Sequence, residues 1–197
     1  MPLLEYQSLL ACLWTDAALR EEFARDPRGV GAQYRLTPTE IEGLLQLPLP
    51  DIQYFANSLH NKRRQEVAHF LPLTARALGG RYAPLFAVYS RDTPPLGPNG
   101  LRADAIGFVG YLTRKLEPPL RELARYEAAW LRMAQERHVL LVQRFPYPML
   151  QLCRAVERGE ATDGIPHDRH LAVWWRGSRG SRIQHRIFRI AIVNQKS

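Results

Sequence analysis

The tightest cluster of side chains able to hold a metal is His167-Asp168-Arg169-His170, two imidazoles three positions apart with a carboxylate between them. The segment reads as a loop entering a strand, so a tetrahedral site there would need further ligands from elsewhere in the chain. His60 and His69 lie nine apart on a helical pattern and diverge too far to act as a pair. Cys12 and Cys153 match no metal spacing, and two isolated thiols in a chain of 197 residues predict a reducing, cytoplasmic setting without a disulfide. There is no Gly-rich phosphate loop, no His-Glu-x-x-His, no Cys-x-x-Cys and no nucleophile elbow. These residues predict no catalytic centre and no bound metal or other cofactor.

Binding chemistry is better supplied. Residues 1–100 hold 10 Lys+Arg and 10 Asp+Glu, whereas residues 101–197 hold 17 and 9, so the second half carries the whole formal charge of +8. That charge is either an arginine-rich solvated face or a surface that attracts an acidic partner. Arg144, Arg176, Arg179, Arg182, Arg186 and Arg189 are interleaved with Phe145, Trp174 and Trp175. Arginine meets phosphate and exposed rings stack on bases, which makes nucleic-acid binding the alternative reading. No recognition-helix or RNA-motif signature accompanies it, so nucleic acid is not the expected partner. A short sheet with a free edge uses the same residues to take an extended peptide as one more strand, with main-chain bonds for affinity and charge for selectivity. An edge merely guarded by charge is the plainer alternative.

The elements that would carry these residues can be read along the chain. Leu3 to Trp14 has helical spacing, Asp16 caps Ala17 to Arg25, and Asp26-Pro27 starts a short helix. Thr37-Pro38-Thr39-Glu40 is a capping box. Ile52 to Tyr89 is the longest helical stretch, with a kink expected at Pro72 and a stop at Gly79-Gly80. Arg63 lies on its apolar stripe, and its stem is expected to snorkel to solvent. Thr93-Pro94-Pro95-Leu96-Gly97-Pro98-Asn99-Gly100 cannot continue a helix or a central strand. Two helices follow, over Leu101–Leu116 and from Pro118-Pro119 to about Glu136. Val139–Phe145 reads as a strand, Pro148–Arg158 as a helix, and Leu171–Arg176 with Arg182–Ile190 as a hairpin. The predicted fold is α+β: a helical domain over 1–92, a Pro/Gly linker over 93–100, and a domain of helices and a short antiparallel sheet over 101–197. Trp174 and Trp175 must point to opposite faces of that sheet, one into the core and the other toward a second packing surface. No run approaches the length of a membrane span, and no basic region with an apolar core opens the chain.

Two stretches look familiar together. One runs from Leu13-Trp14-Thr15-Asp16 through Phe23, Asp26-Pro27, Tyr34, Leu36-Thr37-Pro38 and Glu40 to Ser58-Leu59, Lys62-Arg63-Arg64, Glu66-Val67 and Leu71-Pro72-Leu73-Thr74. The other is Arg144-Phe145-Pro146-Tyr147-Pro148, Val156-Glu157-Arg158-Gly159 and His170-Leu171-Ala172-Val173-Trp174-Trp175-Arg176. They resemble the accessory proteins encoded beside multinuclear non-haem iron oxygenases in bacterial modified-peptide (RiPP) pathways, of the methanobactin and bufferin partner type. The resemblance implies a helical domain followed by a small α+β domain. It also implies a non-catalytic partner that presents a ribosomal precursor peptide to the oxygenase, with the iron held by that enzyme. The leader is then expected along Leu171, Val173, Trp174, Trp175 and Arg176 or along Arg182, Gln184 and Arg186. The enzyme is expected against Lys62, Arg63, Arg64 and Glu66.

Overall fold

The computed structural model describes residues 2–94, 100–135 and 138–190. The fold is α+β and mostly helical, with ten α-helices and one three-stranded antiparallel sheet among the described residues. Local chemistry sets the first boundaries. α1 (Pro2–Thr15) ends where the Asp16 carboxylate accepts from the Ala18 and Leu19 N–H groups and opens α2 (Ala17–Arg25). Asp26 accepts from Gly29 at the start of α3 (Pro27–Gln33). At α4 (Pro38–Leu45) the capping box is complete: Thr37 Oγ1 accepts from the Glu40 N–H, and Glu40 accepts from the Thr37 N–H at 2.8 Å.

The long helical stretch is broken rather than kinked. α5 spans Leu49–Phe70, and Pro72 begins a new helix, α6 (Pro72–Leu78). Proline has no N–H to continue the ladder but fits the first helical position, so the chain restarts there. A 3-10 turn at Gly79–Arg81 leads into α7 (Tyr82–Arg91). α8 (Leu101–Leu112), α9 (Leu120–Ala134), β1 (Leu140–Phe145), α10 (Met149–Arg158), β2 (His170–Trp175) and β3 (Gln184–Arg189) follow. Gly159 ends α10 in the left-handed region at φ 71°, where a side chain would be strained.

The chain forms two compact units, Met1–Glu66 with Ala87–Pro95 and Val67–Phe86 with Leu96–Ser197. The first buries Leu9, Leu13, Phe23, Val30, Ile41, Leu44 and Ile52. The second is built on α9, α10 and the sheet, with Leu123, Met133, Phe145, Met149, Leu152, Ala172 and Trp174 at its centre. Val67–Phe86, read from the sequence as part of the N-terminal helical domain, cluster with the second unit. α6 packs on α9 and α10, and the rings of Tyr82 and Phe86 each meet Phe108 edge-on. Residues 95–99 of the expected linker lie outside the described residues.

A candidate peptide-binding sheet

The strand order is β1-β2-β3, with both pairings antiparallel. Its registers align Leu140, Trp175 and Gln184 across the sheet, then Val142, Val173 and Arg186, then Arg144, Leu171 and Phe188. These three rows share one face, because side chains two apart on a strand point the same way. The opposite face carries Phe145, Ala172, Trp174, Ile183, His185 and Ile187, which pack into the core built on α9 and α10.

This arrangement separates the residues expected to bind peptide. Leu171, Val173 and Trp175 are half-buried on the outer face, whereas Trp174 is buried in the core. Arg176 is also buried; its Nε donates to the His138 carbonyl at 2.9 Å and its backbone N–H to Val139, which closes the end of the β1–β2 pair. It is a structural tie, unable to face a bound peptide. The expected strand addition along Leu171–Arg176 is corrected by the same topology: β2 is central, and both of its hydrogen-bonding edges are occupied.

Among the described residues β3 is an edge strand. Ile190 donates to the Arg169 carbonyl, so in this register Gln184, Arg186 and Phe188 exchange bonds with β2 while the N–H and C=O groups of His185, Ile187 and Arg189 point away from it. Arg182 lies in the loop before β3 rather than within the strand, and it is exposed, as are Gln184 and Arg186. Arg189 Nε sits 3.0 Å from the Asp168 carboxylate. The sequence reading did not single out Leu140, Val142 or Phe188, which are 57%, 48% and 48% exposed beside Trp175 and Val173. The signal was present: Val139–Val142 is apolar at every position, the pattern of a strand covered on both faces.

The two histidines of the 167–170 cluster diverge. His167 Nε2 lies 2.9 Å from the Tyr147 hydroxyl, and His170 Nε2 lies 3.1 Å from Asp168. Hydrogen bonding from His170, reinforced by Arg189, holds the Asp168 carboxyl below the usual carboxylate range. Among the described residues no group of three or more His, Cys, Asp or Glu is placed to hold a metal. Cys12 and Cys153 are free thiols, and burial pushes Cys153 up to about 12.

Beneath the sheet, His185 is surrounded by the rings of Tyr126, Trp130 and Trp174, with centroids at 5.6, 5.1 and 4.9 Å. Burial lowers its pKa, so folding favours the neutral imidazole. The resulting stability is present above the ordinary histidine value of about 6.5 and is lost as the pH falls below it. Thermal melts should therefore show a falling Tm from pH 7 to 5.5, and His185→Phe should flatten that slope. A residual slope is expected from His60, whose pKa is lowered by burial and by Arg64 and Arg63.

Beside this cluster is a cleft of about 540 Å³ lined by Phe70, Pro72, Leu73, Arg76, Tyr126, Glu127 and Trp130. Its buried carboxylate is already engaged: Glu127 accepts from the Leu73 and Thr74 N–H groups at 2.8 and 2.7 Å. Leu71 supplies no side-chain cap to α6, so α9 caps that helix from outside.

In the first unit, Lys62 is exposed while Arg63, Arg64 and Glu66 are half-buried. Arg63 does not snorkel outward as expected. Its Nη1 donates to the Thr93 carbonyl at 2.9 Å, and its guanidinium lies over the Tyr89 ring, because a polar acceptor and an aromatic face are both within reach. Among the described residues no helix is long and apolar enough to cross a membrane.

Residues 50–114 match the model of the family described as SCO6045-like, C-terminal domain. The match takes in most of α5 through α8 and ends before β1, so the sheet lies outside it. That description names no catalytic activity. No curated protein matches the chain.

Proposed function

We propose that this protein is a non-catalytic partner that takes an acidic ribosomal precursor peptide as a fourth strand on β3 and delivers it to a multinuclear non-haem iron oxygenase. The observation that carries the reading is the edge of β3, unpaired among the described residues, with Arg182 and Arg186 exposed along it. Strand addition supplies main-chain hydrogen bonds, and the guanidinium groups select acidic side chains. The resemblance to oxygenase partner proteins supplies the enzyme, and that enzyme holds the iron. Lys62, Arg64 and Glu66 on α5 offer the polar surface for the enzyme in a heterodimer. The free thiols fit work in a reducing cytoplasm.

The test is the anisotropy of a labelled ten-residue peptide alternating Val and Glu, titrated with the full chain. Arg182→Glu/Arg186→Glu should weaken binding about tenfold or more, which corresponds to about 1.4 kcal/mol or more. Unchanged affinity would remove the charge selection. Retention on duplex DNA with a steep salt dependence, together with indifference to the peptide, would instead favour the nucleic-acid reading.

A further inference from the structure

The outer face of the sheet is distinct from the β3 edge. Leu171, Val173 and Trp175 form a stripe down the central strand, flanked by Leu140 and Val142 on β1 and Phe188 on β3. Every charged side chain in this array is an arginine: Arg144 on β1, Arg186 on β3 and Arg182 just before it. The array holds no carboxylate. A sheet with two apolar faces is ordinarily covered on both; the inner face of this one packs into the core built on α9 and α10, whereas Leu140, Val142 and Phe188 on the outer face are exposed.

We infer that the outer face docks one amphipathic helix from a partner protein, lying along β2 with acidic residues on both flanks. The dimensions select a helix. Three strands place the outer two about 10 Å apart, and a helix with its side chains is about 10–12 Å across. Six residues of strand extend about 20 Å, the length of a helix of about 13 residues. Charge selects the helix's flanks, since guanidinium groups on both outer strands meet carboxylates on either side of an apolar stripe. Charge also disfavours the other occupants. A second copy presenting the same face would bring Arg144, Arg182 and Arg186 against their own kind. Residues 191–197 include Lys196 and no acidic side chain.

The probe is a labelled 14-residue helical peptide with a Leu stripe flanked by Glu, compared with the same stripe flanked by Lys, each titrated into the full chain. The Glu-flanked peptide should bind, and the Lys-flanked one at least tenfold more weakly. Val142→Glu and Phe188→Glu, both at well-exposed positions, should each weaken the Glu-flanked peptide about tenfold without changing the circular dichroism or Tm. Arg144→Glu should narrow the difference between the two peptides. The inference is overturned if the two peptides bind alike or if Val142→Glu leaves binding unchanged. It is also overturned if removal of residues 191–197 is needed before any peptide binds, or if sedimentation shows a dimer that Val142→Glu dissolves. Val142 lies on β1, across the sheet from the β3 edge, so failure here leaves peptide addition to β3 standing, and the reverse holds as well.

Discussion

Trp174→Ala is expected to lower the unfolding free energy by about 3–5 kcal/mol, whereas Trp175→Ala, one residue on, should cost only about 1 kcal/mol. The difference follows from which face each ring occupies. Trp174 has no exposed surface and lies among Tyr126, Trp130, Phe145 and His185 at centroid distances of 5.6, 6.2, 6.5 and 4.9 Å. Deleting it removes a large apolar area and opens a cavity that strands held on both sides cannot close. Trp175 is only half-buried on the open face. Urea unfolding followed by circular dichroism measures both, with Trp174→Phe expected between them. Equal costs would mean that the assignment of faces is wrong.

Glu127→Ala should cost about 3 kcal/mol, a large effect for a residue with no ion-pair partner among its described contacts. The carboxylate holds the N–H groups of Leu73 and Thr74 at the start of α6, where Leu71 offers no cap. Truncation leaves both donors without an acceptor inside the fold, at about 1–3 kcal/mol each, with some relief from water entering the adjoining cleft. Glu127→Gln keeps one acceptor oxygen but turns an amide N–H₂ toward the other donor, so about half the loss is expected. The amides of Leu73 and Thr74 should exchange much faster in the alanine variant. Unchanged exchange at those two positions would show that α6 does not depend on this cap.

What was legible in the sequence was local. Asp16, Asp26 and the Thr37–Glu40 box act within four residues of themselves, so residue type and spacing were enough to place three helix starts. The two short runs Leu171–Arg176 and Arg182–Ile190 around a Gly-containing loop likewise gave the hairpin, and the adjacency of Trp174 and Trp175 gave their opposite facing. What was missed depends on contacts between distant segments. The pairing of β1 with β2 makes Leu171–Trp175 central, and nothing in that strand's own residues reports it. Arg176 looked like a free cation because its acceptor, the His138 carbonyl, lies 38 positions away. Pro72 announced an interruption, but whether it kinked or ended the helix depended on Glu127, 55 positions on, capping the restart.

The central claim is that β3 accepts an extended peptide along its free edge, and residue-resolved amide hydrogen exchange on the full chain tests it most directly. Adding the Val/Glu peptide should slow exchange at His185, Ile187 and Arg189, whose N–H groups point away from β2 in this register. Gln184, Arg186 and Phe188, already bonded to β2, should change little. Binding that leaves His185, Ile187 and Arg189 exchanging as fast as before would contradict the account.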